Sequence, residues 1–283
     1  MFGIVIGRAI IRDLYNEGEG ARVLSLMMAV QSFGPVAAPV LGGLLLLIAK
    51  WRVMFVVLSL MGLLCLTLVT RWLPETLPPE KRTKEPIGKI VLTFGRLLMR
   101  REFIAPCIGG AVALSCMFAF ITGSPYVFME LHGVNAQQYG LLFAIVAGGI
   151  LIAAQFNRIL LRRFSPRWIL PWALRFNIVA GLSLFLVADH VPLWGLMIPL
   201  WLCIATVPLI AANSAAIAMS ASGNEAGSAS SMYGLMQFGF ASIASAAVST
   251  LHNGTTYPMA IVIVSAGIVG NIAYALRKPL FFK

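Results

Sequence analysis

The sequence predicts an all-α membrane protein, and three observations support this prediction. Long apolar stretches, such as 23–49 and 259–276, alternate with short polar loops. Such stretches are long enough to cross a bilayer as helices, the form in which a backbone in lipid can satisfy its own hydrogen bonds. The chain is 59% apolar and 11% charged, whereas soluble domains carry about 25% charged residues. Basic residues, finally, cluster in one set of loops only.

The apolar pattern predicts about eight full transmembrane helices and one partial helix. The partial span covers 1–15, which is apolar but too short to cross and is interrupted by Arg8, so we interpret it as the second half of a span. The full spans are expected at 22–48, 52–72, 104–129, 137–160, 168–188, 193–217, 227–250 and 258–276.

Positive charge sorts to one side of these spans. The basic loops contain Arg12, Arg22, several bases between 71 and 101, Arg158, Arg162, Arg163, Arg167, Arg277, Lys278 and Lys283. The opposite loops contain only Lys50 and Arg52. Because Lys and Arg are retained in the cytoplasm, this pattern predicts cytoplasmic basic loops and a cytoplasmic C-terminus.

The segment 74–101 differs from the other loops, since it contains four prolines and a dense run of charge. It is predicted to be a polar linker that packs into no core, with a basic amphipathic helix over 88–100 at the membrane surface. The predicted domains are therefore the end of an N-terminal bundle at 1–73, a cytoplasmic linker at 74–102 and a six-helix C-terminal bundle at 103–283. Two such bundles are the usual plan of a secondary transporter, so about three and a half spans are expected to be absent from the N-terminus.

Small residues form a stripe on one face of the span 22–48. Gly34, Ala38 and Gly42 recur every four residues, a spacing that lets two helix backbones approach closely. Pro35 and Pro39 bend this helix, and Gly42 is followed by Gly43. Ordinary close packing without special function is the alternative for the small residues alone.

A matching stripe of Gly140, Ala144 and Gly148 lies in the span 137–160. We expect the two stripes to face each other across the boundary between the bundles, where a smooth seam would permit rocking. Leucine at position 34 or 148 is expected to impair folding or transport.

The run from Gly34 to Gly43 resembles the antiporter motif in the fifth span of the major facilitator superfamily, with Ala38 in place of a frequent second glycine. Further stretches resemble the Bcr/CflA drug-efflux transporters of that superfamily. These are GRAIIRDLY at 7–15, PETLP at 74–78, SPYVF at 124–128, YGLLFA at 139–144 and GSASS at 227–231. The resemblance implies a major facilitator fold fragment, twelve spans in a complete family member, an inner-membrane location and proton-driven export of small, often amphipathic molecules.

Polar and aromatic residues within the spans are candidates for the substrate cavity. They are Arg8, Gln31, Gln155, Asn213 and Gln237, with the aromatic residues Phe118, Phe120 and Tyr233. Contacts between neighbouring helices or with lipid are the alternative for each of them, and Arg8 could instead extend to the interface. Arg12, Asp13, Arg158, Arg162 and Arg163 are candidates for cytoplasmic gating loops. The loop 157–167 resembles the superfamily's basic loop motif without its aspartate.

Other function classes lack their signatures in the sequence. The net charge of +11 does not indicate nucleic-acid binding, because the bases lie at the ends of apolar runs. The histidines stand alone, and no catalytic constellation or ATPase motif is present, so we predict no enzyme activity, metal or cofactor. The proton gradient is the expected energy source. No acid lies in the middle of a full span, so the coupling residue is expected in the absent spans.

The sequence therefore predicts a secondary transporter that exports drugs or amphipathic metabolites by proton antiport and alternating access. The expected partners are a small-molecule substrate, protons and membrane lipid, with a monomer as the expected state of the full-length protein. Two alternatives remain open: a truncated remnant or subunit without transport of its own, and a sugar, nucleoside or amino-acid carrier of the same fold.

Overall fold

The computed structural model describes residues 41–47, 50–73 and 87–276, together with isolated positions between 10 and 38. The isolated positions are 10, 11, 19, 23, 26, 27, 34, 37 and 38. Regular structure in these residues is helical, which confirms the predicted all-α class.

Eight continuous α-helices follow one another in the described part of the chain. They are α1 (Arg52–Trp72), α2 (Ile87–Met99), α3 (Arg101–Pro125), α4 (Ala136–Leu160), α5 (Pro166–Val187), α6 (Leu193–Ser220), α7 (Ala226–Thr250) and α8 (Tyr257–Ala275). A π-helical segment, Tyr126–Leu131, continues α3, and a short 3-10 turn, Gly223–Glu225, precedes α7.

Six of these helices are long and apolar enough to cross a membrane: α1, α3 with its π-helical continuation, α4, α5, α6 and α8. Helix α7 occupies the predicted span 227–250 and is long enough, but it does not meet the same apolar criterion. Serine, glycine and alanine fill many of its positions. The predicted span 22–48 lies mostly outside the described residues.

The chain divides into two compact units. The first contains Met1–Glu85 with Ala136–Ala144, and the second contains Pro86–Asn135 with Ile145–Lys283. In the first unit, α1 has no buried residue, so its apolar side chains are available to lipid or to other helices. The division into an N-terminal remnant, a linker and a C-terminal bundle stays a prediction.

Helix α3 lies at the centre of the second unit and packs against α6, α7 and α8, while α5 packs against α6 and α8. Helices α3 and α7 run parallel: residues later in α3 contact residues later in α7. Near the middle of both helices, Gln237 Nε2 donates to the carbonyl of Gly110 over 3.3 Å. Near the end, the hydroxyls of Thr122 and Ser245 lie 2.7 Å apart.

Helices α3 and α8 run antiparallel. A Cβ added at Gly270, in the second half of α8, would lie 2.8 Å from Cγ2 of Val112 in the middle of α3. A Cβ added at Gly123, late in α3, would lie 2.9 Å from Cβ of Met259 near the start of α8. These directions are those of α3 to α8 threaded back and forth across a membrane, as the sequence predicts.

Helix α2 is docked on the bundle, which corrects the expectation that the segment 74–101 packs into no core. Leu97 is fully buried against Phe103, Met232 and Tyr233, while its neighbour Leu98 is 46% exposed. The reason is the amphipathic pattern of α2, which turns one apolar face toward the bundle.

Two ion pairs accompany the docking of α2. Nη1 of Arg96 and Nη1 of Arg100 lie 3.5 and 3.8 Å from the carboxylate oxygens of Glu225, in the turn before α7. Both arginine side chains are about half exposed. Exposed pairs contribute at most about 1 kcal/mol each, whereas a fully buried leucine contributes more. Burial of Leu97 therefore contributes most of the free energy that holds α2 on the bundle, and the ion pairs help to orient the helix.

We expect Leu97→Ala to lower the free energy of unfolding by about 2–5 kcal/mol, because it leaves a cavity in a closed apolar cluster. Leu98→Ala is the matched control, since it removes the same atoms from an exposed position and is expected to change stability little. Thermal unfolding of both variants in detergent measures the difference. Equal shifts in melting temperature would show that α2 is not anchored through Leu97.

Candidate substrate-cavity residues

A hydrogen-bond network joins two of the predicted cavity residues between α3, α6 and α7. The hydroxyl of Tyr233 lies 2.8 Å from Oγ of Ser214 and donates to the carbonyl of Ala211 over 3.0 Å. Nε2 of Gln237, one turn further along α7, is 3.3 Å from both the Tyr233 hydroxyl and the Gly110 carbonyl. Tyr233 is buried and Gln237 is half-buried, so the amide lies between the packed core and the surface of the bundle.

Two aromatic rings also pair across α3 and α7. Phe118 of α3 and Phe238 of α7 meet edge to face, with ring centroids 6.4 Å apart. Phe118 is half-buried and Phe238 is exposed. The structure thus brings together Phe118, Tyr233 and Gln237, three of the sequence candidates, along the line where α3 and α7 meet. Phe238 completes this set, which we call the α3–α7 surface.

The exposed stripe of α7 mixes small polar residues with apolar ones. It includes Ser231, Leu235, Phe238, Ser242 and Ser249. The hydroxyls of Ser242 and Ser249 donate to carbonyls four residues earlier in their own helix. A stripe of this kind accounts for the lower apolarity of α7 compared with the six candidate spans.

Asn213 belongs to a separate polar pair. Its Nδ2 donates to Oδ1 of Asn157 and to the carbonyl of Leu209, each over 2.7 Å. Asn213 is 1% exposed, and its Oδ1 is buried without a hydrogen-bond partner in the described structure. A buried acceptor without a partner costs free energy in a low-dielectric interior. The pair therefore adds little net stability, and its main effect is to fix how α4 is oriented against α6.

Two other candidates take different positions. Phe120 is 2% exposed and packs against Phe128, with ring centroids 6.4 Å apart, so it belongs to the interior of the bundle. Gln155 is exposed on α4. The structure joins neither of them to the α3–α7 surface.

The glycine stripes are described in part. Within the first unit, a Cβ added at Gly43 would lie 3.4 Å from the carbonyl oxygen of Ala136, so the end of the first stripe closely approaches the start of α4. Gly42 is half-buried, and added Cβ atoms at Gly34 and Gly148 meet no described atom within 4 Å. Gly140 is buried; Ala144 is half-buried, while Ala38 is exposed. The facing of the two stripes stays a prediction.

The basic candidates for gating lie where α4 ends and the following turn begins. Arg158, Arg162 and Arg163 are all exposed. The remaining candidates lie outside the described residues: Arg8, Arg12, Asp13, Gln31, Pro35 and Pro39.

Sequence reasoning missed a second buried polar network, centred on Asn177 of α5. Its Nδ2 donates to Oγ1 of Thr206 over 2.8 Å and approaches the carbonyl of Cys203 at 3.4 Å. Sγ of Cys116 lies 3.7 Å from Oδ1 of Asn177. Asn177 is 1% exposed, so this network joins α3, α5 and α6. The polar residue in the middle of an apolar span was the signal that could have found it.

We expect Gly110→Ala to disturb the α3–α7 surface, because the added Cβ would lie 2.7 Å from both Oγ of Ser214 and Cζ of Tyr233. The ring must move, which breaks its hydrogen bonds to Ser214 and Gln237. The matched control is Gly109→Ala, whose Cβ would meet its nearest described atoms at 3.9 and 4.0 Å, an ordinary contact. Transport activity normalised to the amount of protein in the membrane should fall for the first variant only. Equal activity of both variants would show that the position of Tyr233 does not matter for transport.

Comparison with known proteins identifies the family. The profile of the Major Facilitator Superfamily matches residues 2–246. The chain is 31% identical over 278 residues to the uncharacterized MFS-type transporter YdgK of Bacillus subtilis, with 96% of this chain and 68% of that protein covered. It is 26% identical over 272 residues to the bicyclomycin resistance protein homolog of Haemophilus influenzae, again with 68% of that protein covered.

A further relative is the multidrug resistance protein MdtL of Salmonella paratyphi A, 29% identical over 199 residues and covered over 49% of its length. Among solved structures, a bacterial homolog of the human lysosomal transporter Spinster aligns with a TM-score of 0.61 over 95% of this chain and 72% of that one, at 16% identity. This likeness shows the fold. These findings confirm the resemblance to major facilitator transporters of the drug-efflux type and agree with a transporter, not an enzyme. The chain belongs to the Major Facilitator Superfamily of membrane transporters.

Proposed function

We propose that this chain belongs to an exporter of drugs or small amphipathic metabolites in a bacterial inner membrane. Such an exporter would work by alternating access and would be driven by protons moving inward. The observation that carries the proposal is the α3–α7 surface, where Phe118 and Phe238 meet edge to face and Gln237, the residue before Phe238, contacts the carbonyl of Gly110. The names of relatives that are resistance proteins support the same direction.

The chemistry of the α3–α7 surface suits neutral or weakly polar ligands. Two phenyl rings offer broad apolar contact, and the amide oxygen of Gln237 can accept a hydrogen bond, since its Nε2 already contacts Gly110 and Tyr233. Helices α3 and α7 have no charged side chain in their middle portions. A sugar or an amino acid would require more polar groups than this surface offers, so we favour amphipathic substrates over the alternative carriers.

The proposed domain plan follows the sequence. Residues 1–73 would belong to an N-terminal bundle, 74–102 to the linker and 103–283 to the C-terminal bundle, with a monomer as the working unit. The alternating directions of the helices in the second unit, together with the basic loops, support a cytoplasmic C-terminus. No Asp or Glu lies in the middle of a described span. The described helices therefore offer no carboxylate to substitute, and proton coupling is tested by the effect of an uncoupler on transport.

Accessibility of introduced cysteines tests the orientation. In a Cys65→Ser background, Glu130→Cys and Asn253→Cys are expected to react with a membrane-impermeant maleimide in spheroplasts. Arg163→Cys and Lys278→Cys are expected to react only after the membrane is permeabilised. The three other native cysteines are buried and serve as the unlabelled background. Labelling of positions 130 and 278 from the same side would contradict the proposed topology.

Efflux of a fluorescent amphipathic dye tests the transport proposal. Cells that express the chain should retain less dye than empty-vector cells, and an uncoupler should abolish the difference. Phe238→Ala should reduce efflux about two- to tenfold, because an aromatic contact contributes roughly 0.5–1.5 kcal/mol. Ile243→Ala, a truncation at a residue that is 67% exposed on another side of α7, is the control.

Three outcomes would count against the proposal in different ways. Efflux that persists with the uncoupler would exclude proton antiport. Equal efflux by the Phe238 and Ile243 variants would remove the α3–α7 surface from the substrate path. No efflux from a well-expressed chain would favour the alternative of a piece that does not transport by itself.

A further inference from the structure

A second recess lies away from the α3–α7 surface, between α4, α5 and α6. It is an open groove of about 640 Å³. Its walls are almost entirely apolar, with the aromatic side chains of Phe156, Trp168, Trp172, Phe176 and Trp201. None of the predicted cavity residues lines it. The one charged side chain in its lining is that of Arg175.

The wall formed by Trp201 is fixed in place. Its Nε1 donates to the carbonyl of Ile145 over 3.1 Å. The ring lies directly on α4 at Gly149, where an added Cβ would come within 2.8 Å of Nε1. Because the Trp201 ring is held against α4, it does not turn into the groove and fill it.

Arg175 is a charge on a membrane span with no anionic partner among the described residues. It is exposed, and its guanidinium carbon lies 5.0 Å from the ring centroid of Trp172. It lies about 13 Å along α5 from Pro166, at a helical rise of 1.5 Å per residue. A cation at such a depth costs several kcal/mol unless it is paired or reaches the headgroup region.

The charge around the groove is of one sign. Between Glu130 and Asp189 the chain contains no acidic residue. The same stretch contains Arg158, Arg162, Arg163, Arg167 and Arg175. The first four lie at the end of α4, in the following turn and at the start of α5, and all of them are exposed. None of these four lines the groove itself, but the ends of α4 and α5 that carry them attract anions, and no described carboxylate pairs with them.

We propose that the groove binds one anionic phospholipid of the leaflet that the Arg158–Arg167 turn faces. The phosphate pairs with Arg175 and the arginines of the turn, and an acyl chain lies against Trp172, Phe176 and Trp201. Basic recesses between transmembrane helices are suited to anionic headgroups, and the guanidinium of an arginine matches a phosphate by two parallel hydrogen bonds. Charge complementarity favours this occupant over an apolar helix of a second copy, which would leave Arg175 unpaired. The proposal depends on membrane insertion and not on the direction or substrate of transport.

Lipid titration of the purified full-length chain tests the proposal. Native mass spectrometry counts bound lipid, and melting temperature reports stabilisation, after addition of dioleoyl-phosphatidylglycerol or dioleoyl-phosphatidylcholine to the detergent. We expect one phosphatidylglycerol to be retained in preference to phosphatidylcholine and to raise the melting temperature. Arg175→Gln should weaken this binding at least about tenfold, as expected for loss of a charge-assisted hydrogen bond. Arg71→Gln is the matched control, since it removes the same charge from an exposed position in the last turn of α1, which is not part of the groove lining.

A second variant tests the apolar part of the groove without a change of charge. Ala205 lines the groove, and Ala205→Phe should displace the acyl chain and weaken binding while every arginine remains. Arg175→Lys, which keeps a cation, should restore part of the binding lost in Arg175→Gln. The melting temperature of each variant without added lipid confirms that it is folded.

Several results would overturn the proposal. Equal effects of Arg175→Gln and Arg71→Gln would show that only the general positive field attracts the lipid. Unchanged binding by Ala205→Phe would show that the groove does not hold the acyl chain. Equal stabilisation by inorganic phosphate would indicate a simple anion site, and self-association that Ala205→Phe abolishes would assign the groove to a second copy.

Discussion

Close approach of helix backbones is the constraint on which the second unit depends. Lipid removes most of the hydrophobic drive between helices, so they are held by van der Waals packing and by a few polar contacts. Glycines let the helix backbones come close enough for both the van der Waals packing and the polar contacts. A Cβ at Gly267 of α8 would lie 2.9 Å from Oδ1 of Asn177, and one at Gly123 of α3 would lie 2.9 Å from Met259. The backbone of α8 therefore passes close to α3 and α5 because these positions have no side chain.

Buried amides use the same proximity. Asn177 reaches Thr206 and Cys203 on α6, while Asn213 reaches Asn157 on α4. In bilayers such contacts average only about 0.6 kcal/mol, which is too little to hold a bundle alone. They have a different role from that of the glycines, because an amide without its partner costs free energy and so disfavours incorrect registers. Glycines permit the packing, and amides select one arrangement of it.

The sequence predicted those features that depend on local pattern. Helix number and direction follow from apolar length and from basic loops, and the helix over 88–100 was found as α2, one residue earlier at each end. The burial of Leu97 was not predictable, because its partners on α6 and α7 lie more than 100 residues away. For the same reason the contact between Phe118 and Phe238 needed the structure. Asn177 was visible as a polar residue within a span, but its partners were not.

The candidate site residues also differ in whether their contacts follow from local sequence or from the packing of distant helices. Tyr233 and Gln237 are one helical turn apart on α7, so their proximity follows from helical geometry. Whether such residues face a neighbour, lipid or a cavity depends on the rotation of the helix within the bundle. That rotation is set by packing, which a single sequence does not encode locally. Phe120 and Phe118 illustrate this: two positions apart, one lies in the interior and the other on the α3–α7 surface.

The attachment of α2 also constrains the order of events during synthesis. Arg96 pairs with Glu225, which is 129 residues later in the chain. At a translation rate of about 5–20 residues per second, α2 leaves the ribosome roughly 6–26 s before its partner exists. During that interval Leu97 has no pocket, and the interfacial region of the membrane is the nearest apolar environment for it. A basic amphipathic helix binds at a membrane surface. The same apolar face of α2 can therefore lie in the bilayer surface during synthesis and pack against the bundle once the chain is complete.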